Sequence, residues 1–180
     1  MKTTYKIDPA HTKAHFVVRH MMITNVRGAF SNVQGTVVYD PDNPAATTIE
    51  AVIDATSIST HEPQRDAHLK SPDFLDVEQF PSITFRSKKV EPDGEELKVT
   101  GDLTLHGVTK EVVLKVEGLT PEVKDPFGNV RAGATATTRI KRSDHGLTWN
   151  VALETGGILV GDDIKIELEI SMIRAESAPA

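Results

Sequence analysis

Seven histidines in a chain of 180 residues invite a search for a metal site or an acid–base centre. His11 and His15 stand four apart, the spacing that places two imidazoles on one helix face. Pro9 and the alternation that follows make this segment extended, which removes the helical ligand pair. His15 and His20 are an odd number apart, so on one strand they face opposite sides. No HExxH or compact His/carboxylate motif occurs, and no metal site is predicted. Asp8 and His11 have the types for proton transfer, but acyl chemistry also needs a nucleophile. Ser31, Ser57, Ser59, Ser71 and Ser143 stand in no GxSxG or triad context, so no catalytic residue is predicted. Asp8-Pro-Ala-His11 reads instead as a turn closed by an Asp–His bond. His106, next to Gly107, reads as a hydrogen-bonded turn residue. Arg142 could grip a phosphate bidentately, although pairing with Asp144 or Asp66 is the commoner use of such an arginine.

Strands must position these residues. Ala14, Phe16, Val18 and His20 share one face of a strand, and further strands are predicted at Gly35–Tyr39, Thr47–Asp54 and Ser82–Ser87. Leu97–Leu105 and Lys110–Gly118 alternate apolar with polar around His106-Gly107 and form the clearest hairpin. Ala132–Ile140 and Ile164–Met172 complete about eight strands, with no βαβ rhythm. The exception is Arg65–Ser87, a crowded polar and aromatic stretch read as a short helical excursion. Ser71-Pro72 is its expected helix start, and Pro81 stops it before Ile83 and Phe85 resume a period of two. The fold class is all-β. A two-sheet sandwich leaves strand edges and an eight-stranded antiparallel barrel removes them, and the long strands with single apolar faces favour the barrel. Small residues at inward positions, namely Ala51, Gly101, Ala134 and Ala136, leave room for a guest unless larger neighbours fill it.

The composition limits the functions. A net charge of −6 argues against a nucleic-acid backbone as partner. Without cysteine there is no disulfide, thiol chemistry or Cys-ligated zinc. No run is long and apolar enough for a transmembrane segment, and MKTTYKIDPAHT lacks the apolar core of a signal peptide. A cytoplasmic location is expected, or a periplasmic one if a leader has been removed. One domain is expected over 1–174, with a frayed tail at 175–180.

The segment Arg65–Phe85 also resembles the YceI-like family of polyisoprenoid-binding proteins, through Arg65, Asp66, His68, Leu69, Ser71, Asp73, Phe74, Asp76, Val77, Pro81, Ile83, Thr84 and Phe85. Four further segments match in order: Asp8–His20, Leu103–Lys110, Ile140–Leu147 and Val160–Ile166. Thr12 stands for the usual serine, Tyr5 for a frequent tryptophan and His145 for phenylalanine. The resemblance implies an extended lipocalin-like barrel with a short helical insert and a tunnel for an isoprenoid chain, such as a polyprenyl phosphate or ubiquinone-like lipid. On that basis Phe16, Val18, Phe85, Leu103, Leu105, Leu114, Ile166 and Leu168 line the tunnel, and His20 and Arg142 are candidates for the head group. The implied role is carriage, storage or protection of the lipid without catalysis and with no required cofactor. A homodimer is compatible with a barrel bearing an insert. The competing readings are a protein-interaction or stress-response module, and a hydrolase or isomerase on an apolar substrate using Asp8, His11 or His106.

Overall fold

The computed structural model describes residues 1–176. Its strands are β1 (Thr3–Ile7), β2 (Lys13–His20), β3 (Thr24–Phe30), β4 (Val33–Tyr39), β5 (Thr48–Asp54), β6 (Ile58–Ser59), β7 (Ser82–Asp93), β8 (Glu96–Leu105), β9 (Val108–Glu117), β10 (Val123–Lys124), β11 (Val130–Lys141) and β12 (Val160–Arg174). The helix α1 (Pro63–Lys70) lies between β6 and β7.

Three of the long strands are bent, and each bend splits one stave in two. β1 and β2 are separated by a 3-10 turn at Pro9–His11, β3 and β4 by Ser31-Asn32, and β5 and β6 by a 3-10 turn at Ala55–Ser57. Both halves keep the same neighbours: β1 pairs β4 while β2 pairs β3, and β4 pairs β5 while β3 pairs β6. Counted as staves, eight strands follow one another antiparallel in chain order, and β12 closes the ring on β1 and β2. The expected eight-stranded barrel is therefore the observed one. β1 and β3 escape the sequence pattern. The first is short, and the second carries Gly28 on its inner side, where the Phe16 ring occupies the place of a side chain.

The β8–β9 hairpin turns in two residues, His106 and Gly107, at φ 55° and 71°. Positive φ at both central positions is the turn whose twist matches its strands. The ring closes unevenly. β11 pairs β12 from Arg131↔Ile173 to Lys141↔Asp163, but meets β9 only at Thr135↔Glu117, Ala136↔Val116 and Thr137↔Lys115. Below that short seam, side chains replace the ladder. Thr138 Oγ1 donates to the Val113 carbonyl at 2.8 Å, and His145 Nδ1 lies 3.0 Å from the Val108 carbonyl. His145, one of the three residues that depart from the family pattern, is 1% exposed and part of the core.

The helix starts earlier than expected. The Glu62 carboxylate accepts from the backbone N–H groups of Gln64 and Arg65, and Pro63 takes the first helical position. Ser71 is at the other end, where its hydroxyl donates to the His68 carbonyl at 2.6 Å. Ser71-Pro72 therefore terminates the helix. An upstream Glu-Pro pair supplies the cap and, at the first helical position, a residue with no N–H left to satisfy, which makes the later Ser-Pro pair redundant as a start.

Arg65 and Asp66 fasten the insert to the barrel by gripping Thr60, which is 5% exposed. Arg65 Nε donates to Thr60 Oγ1 at 2.8 Å, and Asp66 Oδ1 accepts the Thr60 N–H at 2.8 Å. Of the tail expected at 175–180, Ala175 donates its N–H to the Thr4 carbonyl at 2.8 Å, and 177–180 lie outside the described residues.

Candidate functional site

Alternation along the staves sends one side-chain set inward, and the set does not fill the barrel. A cavity of about 240 Å³ runs along the interior, and its wall is almost wholly carbon. At the insert end it is bounded by Leu69, Phe74 and Leu75 of the insert and by Leu147. Tyr39, Leu97, Leu119 and Met172 bound it at the end that carries the chain termini. The insert is pinned over its end of the barrel by an aromatic cluster. The His68 ring packs edge-on against Phe74 at 5.0 Å and Trp149 at 4.7 Å, and His68 Nε2 lies 2.9 Å from Asp73 Oδ2.

The structure places Phe16, Val18, Phe85, Leu103, Leu105, Leu114, Ile166 and Leu168 on the cavity wall, with Arg142 at its border. His20 is elsewhere, at the end of β2 in the ladder between Thr24 and Val160. Ala51, Ala134 and Ala136 contribute open space, whereas the space over Gly101 is taken by the Phe85 ring. Sequence reasoning missed Ile7, Phe30 and the pair Phe74-Leu75. That pair had a readable signal: two adjacent large apolar residues in a polar insert need a core to enter.

Arg142 is 5% exposed and pairs with no carboxylate, contrary to the expected ion pair. Nε donates to the Gly161 carbonyl (2.8 Å), Nη1 to those of Leu147 (2.8 Å) and Trp149 (2.9 Å), and Nη2 to that of Val160 (3.1 Å). Burial lowers its pKa from the ordinary arginine value, and the nearby Asp162 charge opposes that shift. The guanidinium thus ties the loop after β11 to the start of β12. Asp162 adds a second tie, accepting from the Ser143 N–H at 2.9 Å and hydroxyl at 2.7 Å. His106 completes this end, with Nδ1 3.1 Å from the His145 carbonyl and its ring 4.9 Å from that of Phe80.

Asp8 and His11 form the expected turn bond, 2.7 Å between Oδ2 and Nδ1, but the stronger partner of Asp8 is Arg131 at 2.8 Å. Arg131 also donates to Asp125 at 2.6 Å. The guanidinium first, and His11 second, hold the Asp8 carboxyl down to about 2, below its ordinary 3.8. A folded pKa below the unfolded one gives stability that is complete above about pH 4 and is lost as pH falls through 2. Asp8→Asn keeps the cap to the Ala10 N–H but loses the charge, and is expected to cost about 1.5–3 kcal/mol at neutral pH. In urea titrations the gap between variant and wild type should close towards pH 2. A gap that is constant with pH would show that the ion pair stabilises nothing.

Among the described residues no three His, Asp or Glu side chains converge to hold a metal ion. No described helix is long and apolar enough to cross a membrane.

An antiparallel eight-stave barrel, capped by a helical insert and hollow along an apolar axis, defines a small lipocalin-like barrel protein. The YceI-like domain matches residues 5–172, and the chain belongs to that family. Protein YceI of Escherichia coli O157:H7 is 39% identical over 167 residues, covering 92% of this chain and 85% of the relative. The solved Campylobacter jejuni YCEI protein is 32% identical with a TM-score of 0.71, covering 88% of this chain and 90% of its own. Burkholderia cenocepacia BcnA, at 24% identity and a TM-score of 0.78 over 92% of this chain and 98% of its own, shares the fold.

Proposed function

We propose that this protein binds an isoprenoid lipid in the barrel interior and carries, stores or protects it without altering it. The observation that carries this reading is the cavity: about 240 Å³ of unfilled, carbon-lined space along the axis of a barrel whose family resemblance points to polyisoprenoids. Each chain CH2 moved from water into such a wall contributes about 0.8 kcal/mol, so enclosing a short prenyl chain is enough for tight binding. Selection then rests on the length and width of the cavity.

The volume also sets a scale. A dry apolar cavity of about 150 Å³ takes one benzene, so this one takes about ten carbons, or two isoprene units. Longer chains, whether polyprenyl phosphates or ubiquinone-like lipids, must emerge from an end or displace the insert.

Native mass spectrometry of freshly purified protein, followed by solvent extraction, tests the reading. A stoichiometric isoprenoid is the expected result, and the delipidated protein should take up geraniol with a fall in its limited-proteolysis rate. An apo mass that persists after incubation with geraniol, polyprenyl phosphates and quinones would overturn the reading. It would favour a role for the insert in protein contacts.

A further inference from the structure

Thr47 closes the 3-10 turn Pro44–Ala46, its N–H donating to the Pro44 carbonyl at 3.1 Å, and leads directly into β5. It is 5% exposed and lines the cavity at the termini end. Its Oγ1 is the one buried side-chain polar atom among the described residues with no hydrogen-bond partner in the protein. The other buried polar side chains with comparable burial show what is normal here. Thr12 Oγ1 bonds the Ser171 backbone, Thr60 Oγ1 bonds Asp66, and His145 Nδ1 meets the Val108 carbonyl. Even Thr138, which also lines the cavity, spends its hydroxyl on the Val113 carbonyl. A buried hydroxyl without a partner is costly, and valine has the same shape with no such cost. The hydroxyl at this position is therefore uncommitted, and a guest that displaces the carbon wall in front of it gains a partner that nothing else in the protein claims.

The charge pattern narrows the guest. Among the described residues Arg142 is the only Lys or Arg bordering the cavity, and it lies at the opposite end with four N–H groups committed to backbone carbonyls. Among the described residues no Lys or Arg lines the cavity at the Thr47 end, and an ionised phosphate enclosed among carbon atoms without a cation is strongly disfavoured. Building on the lipid-binding reading above, we infer that Thr47 is a polar subsite that receives the neutral hydrogen-bonding terminus of an apolar chain, a hydroxyl or a carbonyl, at the termini end of the cavity. The subsite selects alcohols, quinones or amides over phosphates.

The test measures binding of three ten-carbon probes to delipidated protein by calorimetry or fluorescence displacement: geraniol, geranyl monophosphate and the hydrocarbon 2,6-dimethyloctane. Wild type is expected to bind geraniol at least tenfold more tightly than geranyl monophosphate. Thr47→Val should lose about tenfold in geraniol affinity with no change for the hydrocarbon and no loss of thermal stability, and Thr47→Ser should restore the alcohol. Geraniol and hydrocarbon affinities that are the same in wild type and Thr47→Val would remove the subsite and leave the lipid-binding reading standing. Tighter binding of the phosphate by wild type would remove it equally. Failure of wild type to bind any of the three would overturn the lipid-binding reading, and the subsite with it.

Discussion

Arg142→Met is expected to lower the stability of the fold by about 4 kcal/mol, which for a chain of this length lowers Tm by about 10 °C. Methionine keeps much of the length and volume of the side chain while removing every donor. The carbonyls of Leu147, Trp149 and Gly161 then lose the donor that Arg142 supplies, whereas that of Val160 keeps the Asn150 side-chain amide at 2.8 Å. Arg142→Lys should fall between the two, because an ammonium has three donors and no planar fork for four acceptors spread around it. The damage should be concentrated in one place. Residues 147–159 are tied to β12 through this guanidinium, so limited proteolysis should cut there first. Unfolding in urea within 1 kcal/mol of wild type would show that the four bonds are replaced by solvent at no cost, and that the arginine is free for another task.

Filling the cavity should separate binding from stability. Ala136 is 2% exposed, lies midway along β11 between Val116 and Leu168, and faces the interior space. Ala136→Phe adds a ring, and a benzene-sized group occupies most of a cavity of this size. The ring displaces at least three or four CH2 groups of any guest, about 3 kcal/mol, so affinity for geraniol should fall at least 100-fold. Thermal stability should hold or rise, since the new atoms meet an empty apolar wall. Undiminished affinity in a folded variant would place the guest outside the barrel, whatever its chemistry.

The alternating strands were legible because most inward residues are apolar and most outward ones polar, with Val113 outside and Thr138 inside among the exceptions. Leu97 to Leu105 and Val112 to Val116 are the clear cases, and eight of the ten expected site residues fall fully on the cavity wall for this reason. The bends were not legible. Asp8-Pro-Ala-His11 and Asp54-Ala-Thr-Ser57 look like strand ends, yet the chain resumes the same stave with the same neighbours after each. Arg142 was hidden for a different reason. Its partners are carbonyls at 147–161, and every residue type carries a carbonyl, so no side-chain motif announces them. Thr47 was hidden as well, since a threonine at a strand start is commonplace and only the packed structure reveals a hydroxyl without a partner. The helix start went wrong because two Pro-containing pairs compete in the insert, and the carboxylate of Glu62 satisfies two N–H groups where a serine satisfies one.

The three-pair contact between β9 and β11 gives the barrel a mechanical character that an evenly stitched one lacks. Topologically it is a sheet rolled up and pinned along one line. Its other joins are longer, and the pin is reinforced below by the Thr138 hydroxyl and the His145 ring. Heating or pulling should therefore unroll the molecule at that line before any other hydrogen-bonded pair of staves parts. The unrolled form would still be mostly native sheet, with two free strand edges and a bare carbon face. That is the geometry from which one chain recruits the next, so the aggregation of this protein should begin at the seam.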